Sequence, residues 1–274
     1  MAGFSGRPFI AGQGAGHTAA MMKPQTLLLL LVTMPFAACV NQGWRVDAGP
    51  IFVRTRGQVA LQDAGGTLSL GDHQNHLQGA MGLGDTEPSP FLRAQWDQER
   101  HRVRLNGFAM QTEGSGVLAS DFGGLVTGSQ VTTKEDLYVI NGQYSYELLR
   151  DRSYRLAAGG QLGFYSLDVA ARSTAGYEQV NTQILMPMPF VEAELYYGGF
   201  TGGVNASLMG GEIRDASGRY WDIEAYGKLQ LGEKFEVLGG YRYVLLDAYG
   251  VATGRDFDAD LDIQGWFFGA GIKF

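Results

Sequence analysis

The last nine residues of the chain, 266–274, read WFFGAGIKF. Successive side chains of a β-strand point to opposite faces, so every second residue shares a face. One face of this stretch would carry Trp266, Phe268, Ala270, Ile272 and Phe274. The other would carry Phe267, Gly269, Gly271 and Lys273. The stretch therefore predicts a strand with one apolar face and one face of mostly small or polar residues.

The same alternation recurs along the chain and predicts ten strands. Segments of about ten residues or more repeat the period of two. They span 44–60, 89–98, 101–113, 134–149, 153–170, 184–198, 200–212, 219–231, 234–248 and 259–273. Eight strands is the alternative, because the first segment changes phase near Pro50 and could contain a bulge.

Composition narrows the class of protein. The chain has 274 residues, 45% of them hydrophobic, with a net charge of -7. Its 41 glycines, about twice the usual share of roughly 7%, accompany many aromatic residues and suggest close-packed strands. The acidic balance and the lack of a basic stripe argue against nucleic acid as a partner. A single cysteine rules out an internal disulfide and a paired-cysteine metal or redox motif.

The first residues have the features of a targeting segment. Lys23 precedes an apolar run over 27–32, which is followed by small residues, in the order of a secretory signal. This run is too short to span a bilayer, which takes about 20 apolar residues. Residues 1–20 show no periodicity, and Met21 and Met22 stand where a signal would begin. We therefore expect an over-called start at 1–20, a signal peptide at 21–38 and a β-barrel at 39–274.

The one cysteine, Cys39, follows this segment directly. Phe36, Ala37, Ala38 and Cys39 resemble the bacterial lipobox, in which small residues precede a cysteine that is acylated and becomes the new N-terminus. That resemblance implies lipidation of Cys39, which would anchor the chain stably if two or more acyl chains are attached. The alternative is an ordinary signal peptide with an incidental cysteine near its cleavage point.

The connections between the predicted strands alternate in length. Those following residues 97, 150, 198 and 232 are short, whereas those near 62–88, 114–132, 171–182 and 249–259 are long. This alternation is typical of a barrel with tight periplasmic turns and longer external loops. We therefore expect an all-β fold, a transmembrane antiparallel up-and-down β-barrel of about ten strands, with both chain ends on the periplasmic side.

With these features, the chain from Gly43 to Phe274 resembles the small Gram-negative outer-membrane β-barrels of the OmpA/OmpW-like kind. Its ending, GAGIKF, resembles their C-terminal assembly signal through Gly269, Ile272 and Phe274. The resemblance implies the cell outer membrane as the location, and outer-membrane lipid and the barrel assembly machinery as partners. It brings no catalytic residue and no cofactor with it.

The inward face of the predicted barrel is rich in charge. Arginines come from the early strands: Arg54, Arg56, Arg93, Arg102 and Arg104. Acids come from later strands: Glu192, Glu194, Asp222 and Glu224. In a narrow barrel the two groups could meet across the lumen, and buried charges must be paired or hydrated. This favours an interlocked lumen, with a narrow wet channel as the alternative.

Three functions compete: a structural or ligand-binding barrel, a narrow solute channel, and a lipid-modifying enzyme. The enzyme would need a nucleophile and a base near the outer leaflet. The candidates near the external rim are His73 and His76, with Asp72 and Ser69 close in sequence. Two histidines without a third ligand are weak evidence of a metal site. We therefore expect a structural or ligand-binding barrel with no catalytic residue, metal or cofactor.

Overall fold

The structure, a computed structural model, describes residues 43–63, 74–213, 216–252 and 254–274. The strands are β1 Gly43–Leu61, β2 Asn75–His76, β3 Glu87–Gln98, β4 His101–Val117, β5 Gln130–Arg150, β6 Tyr154–Arg172, β7 Tyr177–Tyr197, β8 Phe200–Ile213, β9 Ala216–Leu231, β10 Phe235–Ala252 and β11 Arg255–Lys273. Each long strand pairs antiparallel with the next, and β11 pairs with β1, so ten long strands close a ring. The predicted ten-stranded up-and-down barrel is confirmed. The predicted leader, signal peptide and Cys39 lie outside the described residues.

Short turns join the strands at the predicted periplasmic end, after Gln98, Arg150, Tyr197 and Leu231. At the opposite, external end, two connections are shorter than the sequence predicts. The link after β6 spans only 173–176 and that after β10 only 253–254. The strands on either side continue through residues that we expected to be loops. Among the described residues, no helix is long and apolar enough to cross a membrane.

The outer surface carries an apolar band. On β7 the outward residues Tyr197, Leu195, Val191 and Leu185 are apolar and exposed, and beyond them Gln183 begins a polar stretch. At a rise of about 3.3 Å per residue and a tilt of about 45°, the stretch from Tyr197 to Leu185 rises roughly 28 Å. A lipid-facing band is about 25 Å tall. The band therefore fits a hydrocarbon layer, and the external ends of the strands extend beyond it.

β1 keeps one phase throughout, which corrects the prediction for two of its residues. Its register with β11 is constant on both sides of Pro50, without a bulge. The buried, inward residues of β1 include Asp47, Ile51, Val53 and Thr55. Arg54 and Arg56 therefore lie on the outer face, paired in register with Gln264 and Asp262. The prediction that these two arginines face the lumen is wrong, because above the apolar band the outer face meets water and the inner face is apolar.

The last strand completes the ring. The backbone N–H of Phe274 donates to the carbonyl oxygen of Trp44 at 2.9 Å, beyond the end of the β1–β11 ladder. Ile272 and Phe274 point outward and are exposed, as the alternation predicts. A Cβ at Gly269 would lie 2.7 Å from the carbonyl oxygen of Ala48 on β1, so a glycine suits this closure. The assembly role of these residues stays a prediction.

The first external connection fills part of the barrel wall. β3 is short, and its pairing with β4 ends at Phe91↔Phe108. Beyond that point, β2 pairs with β1, and residues 80–83 run close to β4. Gly82 has a φ of +70°, and a Cβ there would lie 2.1 Å from the carbonyl oxygen of Ser115. Only glycine permits this approach, which lets the connection take the place of the missing upper half of β3.

Candidate functional site: the barrel interior

The periplasmic half of the lumen holds a layer of charged side chains. The predicted lumen residues found there are Arg93, Arg102, Arg104, Glu192, Glu194, Asp222 and Glu224, each no more than 8% exposed. Their orientation follows from the strand period of two. On β4, for example, Arg102 and Arg104 point inward, while Val103 between them faces outward and is exposed. We call these seven residues, with Arg155 and Arg242, the charge layer.

Glu192 on β7 is the centre of the charge layer. Its Oε1 lies 3.0 Å from Nη1 of Arg102 and also accepts from Nη2 of Arg104. Its Oε2 lies 2.6 Å from Nη1 of Arg155. The hydroxyl of Tyr226 donates to Oε1 at 3.1 Å. One carboxylate thus connects three guanidinium groups from β4 and β6 with a tyrosine from β9.

Glu194 extends this contact towards the periplasmic end. Its Oε1 lies 2.9 Å from Arg102, and its Oε2 lies 3.5 Å from Arg155. The single proton of the Tyr226 hydroxyl is shared between Glu192 and Glu194, and the contact with Glu194 is the shorter one, at 2.6 Å. Arg155 also reaches Glu147 on β5 at 3.2 Å. The two acids of β7 therefore share Arg102 and Arg155, whereas Arg104 pairs with Glu192 alone.

Two further ion pairs lie beside this cluster. Arg93 on β3 donates through Nη2 to both carboxylate oxygens of Glu224 on β9, at 2.7 Å each. Arg242 on β10 forms a two-pronged contact with Asp222, at 2.9 and 2.6 Å, and donates to Asn106 on β4 at 3.1 Å. Paired donors and acceptors of this geometry are the stronger kind of ionic hydrogen bond. They connect β3 and β4 with β9 and β10 across the barrel.

The charge layer interlocks the periplasmic half of the lumen. Arginines of the early strands meet acids of the late strands, so the ion pairs join walls that share no backbone ladder. Isolated buried charges are costly, whereas pairing and hydrogen bonding offset that cost. The side chains therefore fill and bridge this half of the barrel.

Sequence reasoning missed several lumen charges. Arg155, Arg242 and Lys228 are buried inward residues that we did not place at the site. Extending the alternation from Leu156 and Tyr241 would have identified the first two. Lys228 Nζ makes no hydrogen bond to any described residue and lies 4.9 Å from the centre of the Tyr226 ring. Its orientation also follows from the period of two on β9.

The external half of the barrel interior is mostly apolar, which the sequence did not predict. The first and second external connections contribute side chains to it, and all of its members are buried. We call this cluster the upper chamber; its residues include Val53, Leu77, Met81, Met110, Phe122, Leu137, Val139, Leu167, Val169, Leu246 and Leu261. Asn75 joins the first external connection to the second, because its side chain hydrogen-bonds to the backbone of Ala119 and Ser120 at 3.0 to 3.1 Å.

The other candidate residues form no site within the described parts of the chain. His76 is exposed on β2, while His73, Asp72 and Ser69 lie outside the described residues. His101 lies beside a periplasmic turn and bonds to the hydroxyl of Tyr144 at 2.8 Å. Within the described ranges, no group of three or more His, Cys, Asp or Glu side chains is placed to hold a metal ion.

Comparison with solved structures agrees with this fold. No protein family matches the sequence, and no curated protein matches it either. The outer-membrane protease OmpT of Escherichia coli has a TM-score of 0.51 and 12% identity, over 85% of this chain and 96% of that one. The attachment invasion locus protein Ail of Yersinia pestis has a TM-score of only 0.37 and 10% identity, over 85% and 99%. At such identities the likeness concerns the fold alone. The chain has the fold of Gram-negative outer-membrane β-barrels.

Proposed function

We propose that this chain is a closed outer-membrane β-barrel that acts by binding or as a structural element, and that it neither conducts solutes nor catalyses a reaction. The observation that supports this proposal is the charge layer, in which guanidinium and carboxylate groups bridge opposite walls. A solute would have to separate these ion pairs and then cross the apolar upper chamber. In this proposal the partners are outer-membrane lipid and the barrel assembly machinery.

The test is single-channel recording with the purified, folded protein in planar bilayers. We expect a heat-modifiable protein that fractionates with outer membranes and gives no regular conductance steps. Steps whose size rises with salt concentration would contradict the proposal and support the alternative of a narrow solute channel. Recovery as a soluble periplasmic protein would contradict the proposed location.

We also propose that Cys39 is lipidated, on the strength of its position behind Ala37 and Ala38. The wild-type protein, expressed with a clickable fatty acid, is then expected to take up label. Cys39→Ser should remove that label, because the acylated sulfur is absent, while leaving the heat-modifiable barrel intact. Equal labelling of both proteins, or of neither, would favour an ordinary signal peptide.

A further inference from the structure

The wall of the barrel is incomplete between β7 and β8. These strands pair over eight positions only, from Tyr197↔Phe200 to Phe190↔Ser207. Beyond that point β7 continues to Tyr177 along β6, and β8 continues to Ile213 along β9. Within the described residues, no pair joins β7 and β8 there. We call this unpaired stretch, between 177–189 of β7 and 208–213 of β8, the seam.

Two prolines explain why the ladder stops. The N–H of Tyr196 donates to Ser153 on the β6 side at 2.8 Å. Alternate residues of a strand direct their backbone groups to opposite neighbours, and the β6–β7 register has no shift. The odd-numbered residues of β7 therefore face β8. Pro187 and Pro189 are odd-numbered, and proline has no N–H to donate. The first two donors needed beyond Phe190 are thus missing.

A second break in the barrel wall, between β3 and β4, differs from the seam because an external connection covers it. β3 and β4 also pair over only eight positions, and β3 carries Pro88 and Pro90 beyond them. There, however, residues 80–83 lie against the backbone of β4, and Gly82 contacts Ser115 closely. At the seam, a Cβ on Gly211 would meet no described atom within 4 Å. One break in the wall is covered by an external connection, and no described residue covers the other in this way.

The seam begins within the depth of the hydrocarbon layer. Pro189 lies eight residues from Tyr197 at the periplasmic turn, which corresponds to a height of roughly 19 Å. The outward residues at its edges, Leu185 and Leu208, are apolar and more than half exposed. A lipid-facing band is about 25 Å tall. The opening therefore starts in the outer-leaflet part of the membrane, where acyl chains surround the barrel.

The inner side of the seam is apolar and built largely of methionine. Met186 and Met188 of β7 are buried inward residues that belong to the apolar core. Ile184 and Met209, at the two edges, are only partly buried although they point inward. Methionine is flexible and adapts to apolar ligands of different shape. Behind these side chains, the Tyr165 ring packs on Tyr220, with ring centres 4.7 Å apart.

The outer wall beside the prolines is recessed. A hollow of about 750 Å³ is lined by residues of β4, β5, β6 and β7, among them Gly142, Gly160, Leu162, Pro187 and Pro189. Gly142 and Gly160 lie on the outward face, where the absence of a side chain thins the wall. A lipid chain can lie in this hollow, adjacent to the strand that borders the seam.

We propose that the seam is a lateral opening through which an acyl chain of a membrane lipid enters the barrel interior beneath the upper chamber. This inference deepens the binding role proposed above and rests on it. Pro187 and Pro189 keep β7 and β8 unpaired. Leu185 and Leu208 place the opening at the depth of the hydrocarbon layer. The flexible side chains of Met186 and Met209 can change rotamer to make room for an acyl chain. Apolar chains are favoured over water-soluble ligands at the lower part of the seam, because that part opens towards lipid.

The experiment uses the folded protein in phospholipid vesicles that contain a phospholipid with a photoreactive diazirine on its acyl chain. After irradiation, mass spectrometry locates the labelled residues. In the wild type we expect label on the inward residues Met186 and Met209, as well as on the outward residues Leu195 and Leu208. Labelling of the outward pair is the internal standard, since both face lipid in every variant.

Pro187→Ala with Pro189→Ala supplies the two missing N–H donors and is expected to close the seam. Inward labelling should then fall roughly thirtyfold, the equivalent of about 2 kcal/mol for two backbone hydrogen bonds. The matched control is Pro88→Ala with Pro90→Ala, at the break that residues 80–83 cover, where we expect no change. Unchanged inward labelling in the first variant, or none in the wild type, would overturn the proposal.

A second variant keeps the test informative if the double proline variant does not fold. Met209→Trp fills the opening from the β8 side and should likewise reduce the label on Met186; undiminished labelling would overturn the proposal. Conductance of the same samples separates the two hypotheses. A conducting barrel with inward labelling would refute only the closed lumen, whereas a closed barrel without inward labelling would refute only the seam.

Discussion

Glu192→Gln is expected to lower the free energy of unfolding by about 3 to 5 kcal/mol, the usual cost of removing one partner from a buried ion pair. The substitution keeps the size of the side chain and removes its charge. Arg102, Arg104 and Arg155 would then lose a shared counter-ion in the middle of the barrel. Part of that loss is offset, because Glu194 still contacts Arg102 and Arg155. Arg104 would lose its ion pair and keep its hydrogen bonds to the neutral Gln95 and Gln143.

Urea-induced unfolding in vesicles, followed by heat-modifiable gel mobility, measures this change. Asp247→Asn is the matched control, since it breaks an ion pair with Arg219 whose side chain is 71% exposed. Exposed pairs contribute about 0 to 1 kcal/mol, so the control should hardly shift the transition. If Glu192→Gln unfolds within 1 kcal/mol of the wild type, the charge layer does not hold the walls together.

The barrel and its periplasmic half could be predicted from the sequence because one physical rule governs both faces there. Lipid surrounds the outside and polar side chains fill the inside, so apolar and polar residues alternate with a period of two. That rule places Arg102 and Glu192 in the lumen and Phe268 towards lipid, as the structure shows. Ion pairs across the lumen can then be predicted, because the arginines come from early strands and the acids from later ones.

The external half could not be predicted because the same rule reverses there. Above the apolar band, the outer face meets water, and the inner face packs against the external connections. Arg54 thus points outward, while its neighbours Val53 and Thr55 are buried. A sequence of alternating polarity does not reveal the height at which the reversal occurs. The apolar residues of 74–84 that enter the interior also have no recognisable period.

The sequence contains an indication of the seam, but it lies within a segment whose apolar and polar residues alternate like those of an ordinary strand. Pro187 and Pro189 lie inside the predicted strand 184–198, where prolines indicate an edge of the sheet. In a closed barrel every strand should have two partners, so prolines at alternate positions mark a local break in one ladder. Which neighbour is lost depends on the direction of the backbone groups, and only the structure establishes that.

Glu135 is a buried acid that lies apart from the charge layer. It lies on β5, fifteen residues from Arg150 at the periplasmic end, or roughly 35 Å higher along the barrel axis. Outside it, Lys134 and Asp136 form a surface ion pair at 3.1 Å, so this level lies beyond the membrane. Neither carboxylate oxygen forms a well-aligned hydrogen bond with the described residues. Burial raises the pKa of Glu135 to about 7, an effect that the Thr55 hydroxyl only partly opposes.

This raised pKa makes stability depend on pH in a defined direction. Below pH 4.5, the ordinary value for glutamate, the carboxyl is neutral in both the folded and the unfolded chain and burial costs no ionisation energy. As the pH rises from 4.5 to about 7, the unfolded chain ionises while the folded one stays protonated, so stability is lost. A pKa raised from 4.5 to about 7 corresponds to a loss of stability on the order of 3 kcal/mol.

Glu135→Gln should therefore stabilise the protein at pH 8, by up to about 3 kcal/mol, and have little effect at pH 4. The amide cannot ionise, so the variant avoids the cost that the wild type bears at high pH. Urea unfolding of vesicle-reconstituted protein at both pH values measures the difference. Glu113→Gln, an exposed acid on the outer face of β4, is the control and should change neither transition. An equal effect of Glu135→Gln at the two pH values, or no gain at pH 8, would show that Glu135 is paired or hydrated in the folded barrel, and the apolar character of the upper chamber around it would then need revision.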